Sequence, residues 1–148
     1  MFLFNEFPTD YVIGGLRLKI NYDFRTSMRF EMLMQDNNFN DEEKLEITLK
    51  LYFGEQFIID YEQAIKAILD FYTLGKFSEK RKAGKENQES RRIKAIYSFE
   101  HDGKLFYSSF LEQYQIDLTE EKDLHWWKFR ALFEGLNETT KLAKAMAY

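Results

Sequence analysis

Chemistry needs particular side chains at particular spacings, and few such sets occur in this chain. Asp36-Asn37-Asn38-Phe39-Asn40-Asp41 resembles the start of a calcium loop, which takes oxygen ligands from positions 1, 3 and 5. Position 6 of such a loop requires Gly and is Asp41 here. Position 12 requires a bidentate carboxylate and is Ile47. A polar loop ahead of a helix is the better reading. His101 lies in Glu100-His101-Asp102 and His125 lies in an aromatic run, without HExxH-type spacing between them. There is no Cys, which excludes a thiol nucleophile, a disulfide framework and Cys-bearing metal sites. No G-x-S-x-G elbow surrounds Ser108-Ser109, and Gly14-Gly15 and Gly84-Lys85 match neither phosphate-binding pattern. Glu120, Glu121 and Asp123 read as a solvated helix start rather than an acid–base pair. Asn137-Glu138-Thr139 fits the glycosylation sequon, but no export signal supports its use. No enzyme, cofactor or metal is therefore expected.

Two constellations fit binding instead. Residues 76–94 carry 8 Lys/Arg against 3 Asp/Glu, within a chain of net charge −4. Lys80, Arg81, Lys82, Arg91 and Arg92 form a candidate patch for phosphates. Interleaved aromatics are missing apart from Phe77, so a solvated linker is preferred over a nucleic-acid arm. The second constellation is His125-Trp126-Trp127-Lys128-Phe129-Arg130, followed by Phe133. On a helix Trp126 and Phe129 share a side, while Trp127 lies about 100° round. One buried stripe does not easily hold all these rings. His125, Trp126, Trp127, Phe129, Arg130 and Phe133 are therefore candidates either for the centre of a thick core or for a partner-facing surface.

The elements that must position these residues are mainly helical. A length of 148 suits one domain, and a single Pro favours helices. Gly14-Gly15 between Tyr11-Val12-Ile13 and Leu16-Arg17-Leu18 predicts an N-terminal β-hairpin, with Ile13 facing Leu16 and Tyr11 facing Leu18. Asp23 is placed to cap a helix through Met34, with Phe24, Met28 and Met32 along one side and Phe30, Leu33 and Met34 widening it. Asn40 caps the next, where Leu45, Leu49, Tyr52 and Phe53 form the stripe and Gly54 is the stop. Asp60 caps a helix from Tyr61 to about Leu74, with Gln63 at N3 and Tyr61, Ala64, Ile65, Ile68, Leu69 and Tyr72 on its apolar face. Residues 76–92 lack any apolar period and read as a mobile basic linker between subregions 1–75 and 93–148 of one domain. Ala95 to Phe99 is open between a strand and a helix entry. Lys104 to Tyr114 reads as a helix with Tyr107, Phe110, Leu111 and Tyr114 on one face. Thr119 is placed to cap a helix carrying Leu124, Trp127, Ala131 and Leu132 and ending at Gly135, and Asn137 to cap a last one to about Met146. No secretory signal or membrane span is visible, so the cytoplasm is the expected location.

Gln113-Tyr114-Gln115-Ile116-Asp117-Leu118, then Leu124 to Leu132 and Gly135-Leu136, resemble the bacteriophage Gp15 family. Tyr97-Ser98-Phe99-Glu100-His101-Asp102 and Phe110-Leu111 extend the likeness upstream. Phe7-Pro8, Ile20-Asn21, Asp23-Phe24-Arg25-Thr26 and Phe30-Glu31 extend it to the N-terminal region. Members are small proteins of tailed phages and prophages of Gram-positive bacteria, encoded in the tail-morphogenesis region near the tape-measure protein. The resemblance implies a tail assembly factor of the chaperone kind, which coats the tape-measure protein, acting as an oligomer in the cytoplasm of the bacterial host. It implies no catalytic residue. The shielding surface is expected to be the aromatic helix; a nucleic-acid-associated factor using 76–94 is the alternative. The chain departs from the pattern in two places. It ends at Ala147-Tyr148, where the pattern is expected to run a few residues further, and His101-Asp102-Gly103-Lys104 replaces a more helix-prone stretch.

Overall fold

A computed structural model describes residues 6–77 and 99–136, the side chains of 99–102 excepted. The order is β1 (Asp10–Ile13), β2 (Leu16–Lys19), α1 (Phe24–Gln35), α2 (Asp41–Phe53), α3 (Tyr61–Tyr72), α4 (Phe99–Tyr114) and α5 (Trp126–Glu134). The fold is mainly α, with one two-stranded antiparallel sheet among the described residues. The linker 76–92, beyond Phe77, and the helix expected after Asn137 lie outside those residues.

The hairpin forms in the expected register, Ile13 against Leu16 and Tyr11 against Leu18. Gly14 and Gly15 both take positive φ, as the tight turn requires. A two-stranded sheet is marginal by itself, and here side chains from elsewhere support it. The Gln63 carboxamide accepts the Gly14 N–H at 2.6 Å. Gln56 meets both the N–H and the C=O of Lys19, at 3.0 and 2.7 Å, and so extends the outer edge of β2 by one mimicked residue. Gln63 is thus spent on the turn rather than on closing a capping box at Asp60.

Asp23, Asn40 and Asp60 cap α1, α2 and α3, each accepting a first-turn N–H. At α2 the box is reciprocal, Asn40 with Glu43. The expected face of α1 is corrected. Phe24, Phe30 and Leu33 are buried as expected, but Met32 is exposed, and Thr26, Ser27 and Glu31 are buried as well. Partners stabilise the polar members of this face: Ser27 Oγ lies 2.7 Å from Tyr52 Oη, and Tyr72 donates its hydroxyl hydrogen to the Glu31 carboxylate. Leu45 of α2 and Tyr61 of α3, both assigned to buried stripes, are also exposed. In α4 the buried stripe is Phe106, Ser109 and Phe110, and Leu111 faces outward. The helix begins at Phe99, five residues before the expected Lys104, and continues through Gly103, so Glu100-His101-Asp102 is helical.

The largest correction concerns α5. It starts at Trp126, not after Thr119, and Leu124 precedes it. The cause is long-range. Phe24 N–H donates to Leu124 C=O at 2.9 Å and Trp126 N–H to Tyr22 C=O at 2.8 Å, an antiparallel bridge between Asp23 and His125. Backbone extended for that pairing cannot be helical as well. Upstream, Asp117 accepts the Thr119 N–H and hydroxyl, closing a local turn that replaces the expected cap.

His125 therefore becomes the N-cap of α5. Its Nδ1 accepts the Trp127 N–H at 2.9 Å, so Nε2 carries the proton and donates to Pro8 C=O at 2.7 Å. Burial pushes the imidazole pKa below its ordinary value, against an opposing pull from the Pro8 carbonyl. Its folded pKa is thus depressed relative to the unfolded chain, which binds protons first as the pH falls. Stability from this group is complete above about pH 6.5 and is lost as pH drops through that value toward the folded pKa. Urea unfolding of the wild type should weaken between about pH 7.5 and 5.5. His125→Asn, which keeps a capping oxygen, should flatten that component. An unchanged pH profile in the variant would refute the cap assignment.

Candidate protein-interaction surface

Aromatic residues of α5 sit at the centre of the fold. Trp126 and Phe129 are fully enclosed, and His125, Arg130 and Phe133 are buried around them. Phe129 stacks on Phe110 at 5.0 Å, Phe24 at 5.2 Å and Trp126 at 5.6 Å between ring centres. Arg130 lays its guanidinium over Trp126 and Phe133 and reaches Glu134 at 3.6 Å. The adjacent tryptophans have one shared task. The last carbonyls of a helix have no intrahelical partner. At the end of α3, Trp126 Nε1 donates to Tyr72 C=O at 3.0 Å and Trp127 Nε1 to Phe71 C=O at 2.8 Å. Trp127, half-buried, is held by that bond. Of the two readings of these residues, thick core or partner-facing surface, the burial places the rings in the core.

Other sequence candidates give no site. Asp36 Oδ1 accepts the Asn38 N–H at 2.8 Å in an ordinary Asx turn, and Asn40 is a helix cap. Among the described residues no group of three His, Asp or Glu could hold a metal ion. Ser109 is buried in α4, and Ser108 bonds its own helix backbone. Lys80, Arg81, Lys82, Arg91 and Arg92 lie outside the described residues.

The surface that remains is built by α2, α3 and the loop between them. Gly54, at φ 61°, turns the chain out of α2. Gln56 then ties the loop to β2, and Asp60 restarts the helix. Between these anchors Phe57 is 79% exposed and Ile59 54%, and Tyr61 beyond the cap is 61% exposed. Phe57, Ile58 and Tyr61 line a groove of about 450 Å³ with Leu45 and Leu49. Leu45 also borders a second pocket of about 240 Å³, floored by Phe30, Met34, Ile65 and Ile68. Thr48 lines this pocket too, its buried hydroxyl without a partner among the described residues. Ile59 packs over the hairpin turn, its Cβ 3.1 Å from where a Cβ on Gly14 would be. Contiguous exposed apolar surface of this kind marks interaction sites on otherwise well-packed domains. Sequence reasoning missed it. The available signal was the apolar run Phe57-Ile58-Ile59 between a helix stop and a helix cap, where a loop is normally polar.

No helix among the described residues is long and apolar enough to cross a membrane. The family model described as Bacteriophage Gp15 protein matches residues 3–148. No curated protein and no solved structure matches the chain.

Proposed function

Given that the chain belongs to the bacteriophage Gp15 family and is a bacteriophage protein, we propose that it is a non-enzymatic tail assembly protein. In this reading it is a chaperone that binds the tape-measure protein in the cytoplasm of the bacterial host. The observation that carries the reading is the exposed apolar face of Leu45, Phe57, Ile59 and Tyr61, on elements otherwise well capped and packed. A long helical partner with unassembled apolar stripes needs such a face as temporary cover.

Co-expression with the cognate tape-measure protein should give co-purification and a gain in tape-measure solubility. Absence of both capture and improved solubility would overturn the reading.

A further inference from the structure

We propose that the α2–α3 face takes an amphipathic helix whose apolar stripe is flanked by Lys or Arg. This rests on the reading above only in assigning the face to a protein partner. The larger groove is walled by α2, loop residues 54–58 and Tyr61, and the smaller pocket by α1, α2 and α3; no strand borders either, so the surface offers side chains and no sheet edge. A helix, which satisfies its own backbone, is the occupant such walls accept.

Charge selects among helices. The segment 41–66 carries seven acidic residues and three lysines. Two of those lysines are engaged: Lys44 donates to Met34 C=O at 3.2 Å, and Lys66 pairs with Glu62 at 3.0 Å. Glu46, Glu55 and Lys50 line the larger groove, and Asp41 and Lys44 border the smaller pocket. The apolar floor is thus edged by three carboxylates and two ammonium groups, and the acidic excess lies at Glu46 and Glu55 of the larger groove. Partner cations at the flanks would meet them, and partner acids would be repelled. The chain's own basic stretch fits poorly, because residues 76–92 bring only Phe77 and Ala83 to fill an apolar floor.

The test uses the full chain and two synthetic helical peptides of about 20 residues. They share one apolar stripe at i, i+3, i+4, i+7 and differ in flanks of Lys or Glu. Fluorescence anisotropy should show the Lys peptide binding about tenfold or more tighter at low salt, the gap narrowing as salt rises. Glu46→Lys with Glu55→Lys should erase or reverse the preference while leaving the unfolding midpoint in place. Equal binding, binding of neither peptide, or a preference unmoved by the charge reversal overturns the proposal. A concentration-dependent dimer that Phe57→Ser dissolves also overturns it, in favour of a second copy as occupant. The two readings fail separately. Peptide preference without tape-measure capture removes the tail-chaperone function alone. Capture without peptide preference removes the basic-helix occupant alone.

Discussion

Trp126→Ala should destabilise the protein by about 4 kcal/mol or more, a large share of the stability of a domain this size. The side chain is 1% exposed. Its ring lies between Tyr72, 5.8 Å away and nearly parallel, and Phe129, at 5.6 Å. Truncation leaves a cavity where the Tyr72 and Phe129 rings and the Arg130 guanidinium meet. It also removes the donor to Tyr72 C=O, so the cost of a buried unmatched carbonyl is added. Trp126→Phe refills most of the volume and loses only the donor, and should cost about 1–3 kcal/mol. Trp127→Phe should cost about 1 kcal/mol, since Trp127 is half-buried and contributes mainly its bond to Phe71. Urea midpoints, with unchanged m-values, rank the three. If Trp126→Ala falls within about 1 kcal/mol of wild type, α5 is not the centre of the fold.

Phe57→Ser combined with Tyr61→Ser should do the opposite. Neither residue belongs to the core cluster, and both are more than half exposed. Stability should change by about 0.5 kcal/mol or less, as for surface positions generally. Partner affinity should fall about 100-fold or more, because aromatic anchors at an interface each contribute about 2 kcal/mol or more on truncation. The measurement is tape-measure capture at matched concentration beside a thermal melt of the same preparation. Retained capture with an unchanged melt would move the binding face elsewhere. Lost capture with a collapsed melt would show that the loop supports the fold.

Local signals in the sequence suffice where local chemistry decides the outcome. Two glycines at positive φ fix the hairpin register, and Asp23, Asn40 and Asp60 each supply a cap within three residues of the N–H they accept. The errors share a different cause. The face of α1 was misjudged because Ser27 and Glu31 are buried by hydroxyls on α2 and α3, which no window along α1 contains. The start of α5 was misjudged because residues 22–24, about a hundred positions upstream, hold 124–126 extended. The Trp126-Trp127 pair looked too large for one stripe because a stripe was the wrong geometry. The two indoles straddle a helix end, and adjacent residues suit adjacent carbonyls. The interaction face stayed hidden for the complementary reason. Leu45 and Tyr61 fall on apolar stripes, and only the packed arrangement shows that nothing covers them.

The bonds that tie α5 and its approach to the rest of the chain join Pro8 to His125, Tyr22 to Asp123, Arg25 to Leu118 and Tyr72 to Trp126. Each spans more than fifty positions, and all are made by the last third of the polypeptide. During synthesis the N-terminal helices emerge first, with Phe24, Phe71 and Tyr72 lacking the rings that will cover them. The core closes only after Phe133 has left the ribosome. A nascent chain stalled short of that point therefore exposes two sticky surfaces, the permanent one on α2–α3 and a temporary one at the end of α3. Docking of α5 masks the second and leaves the first exposed.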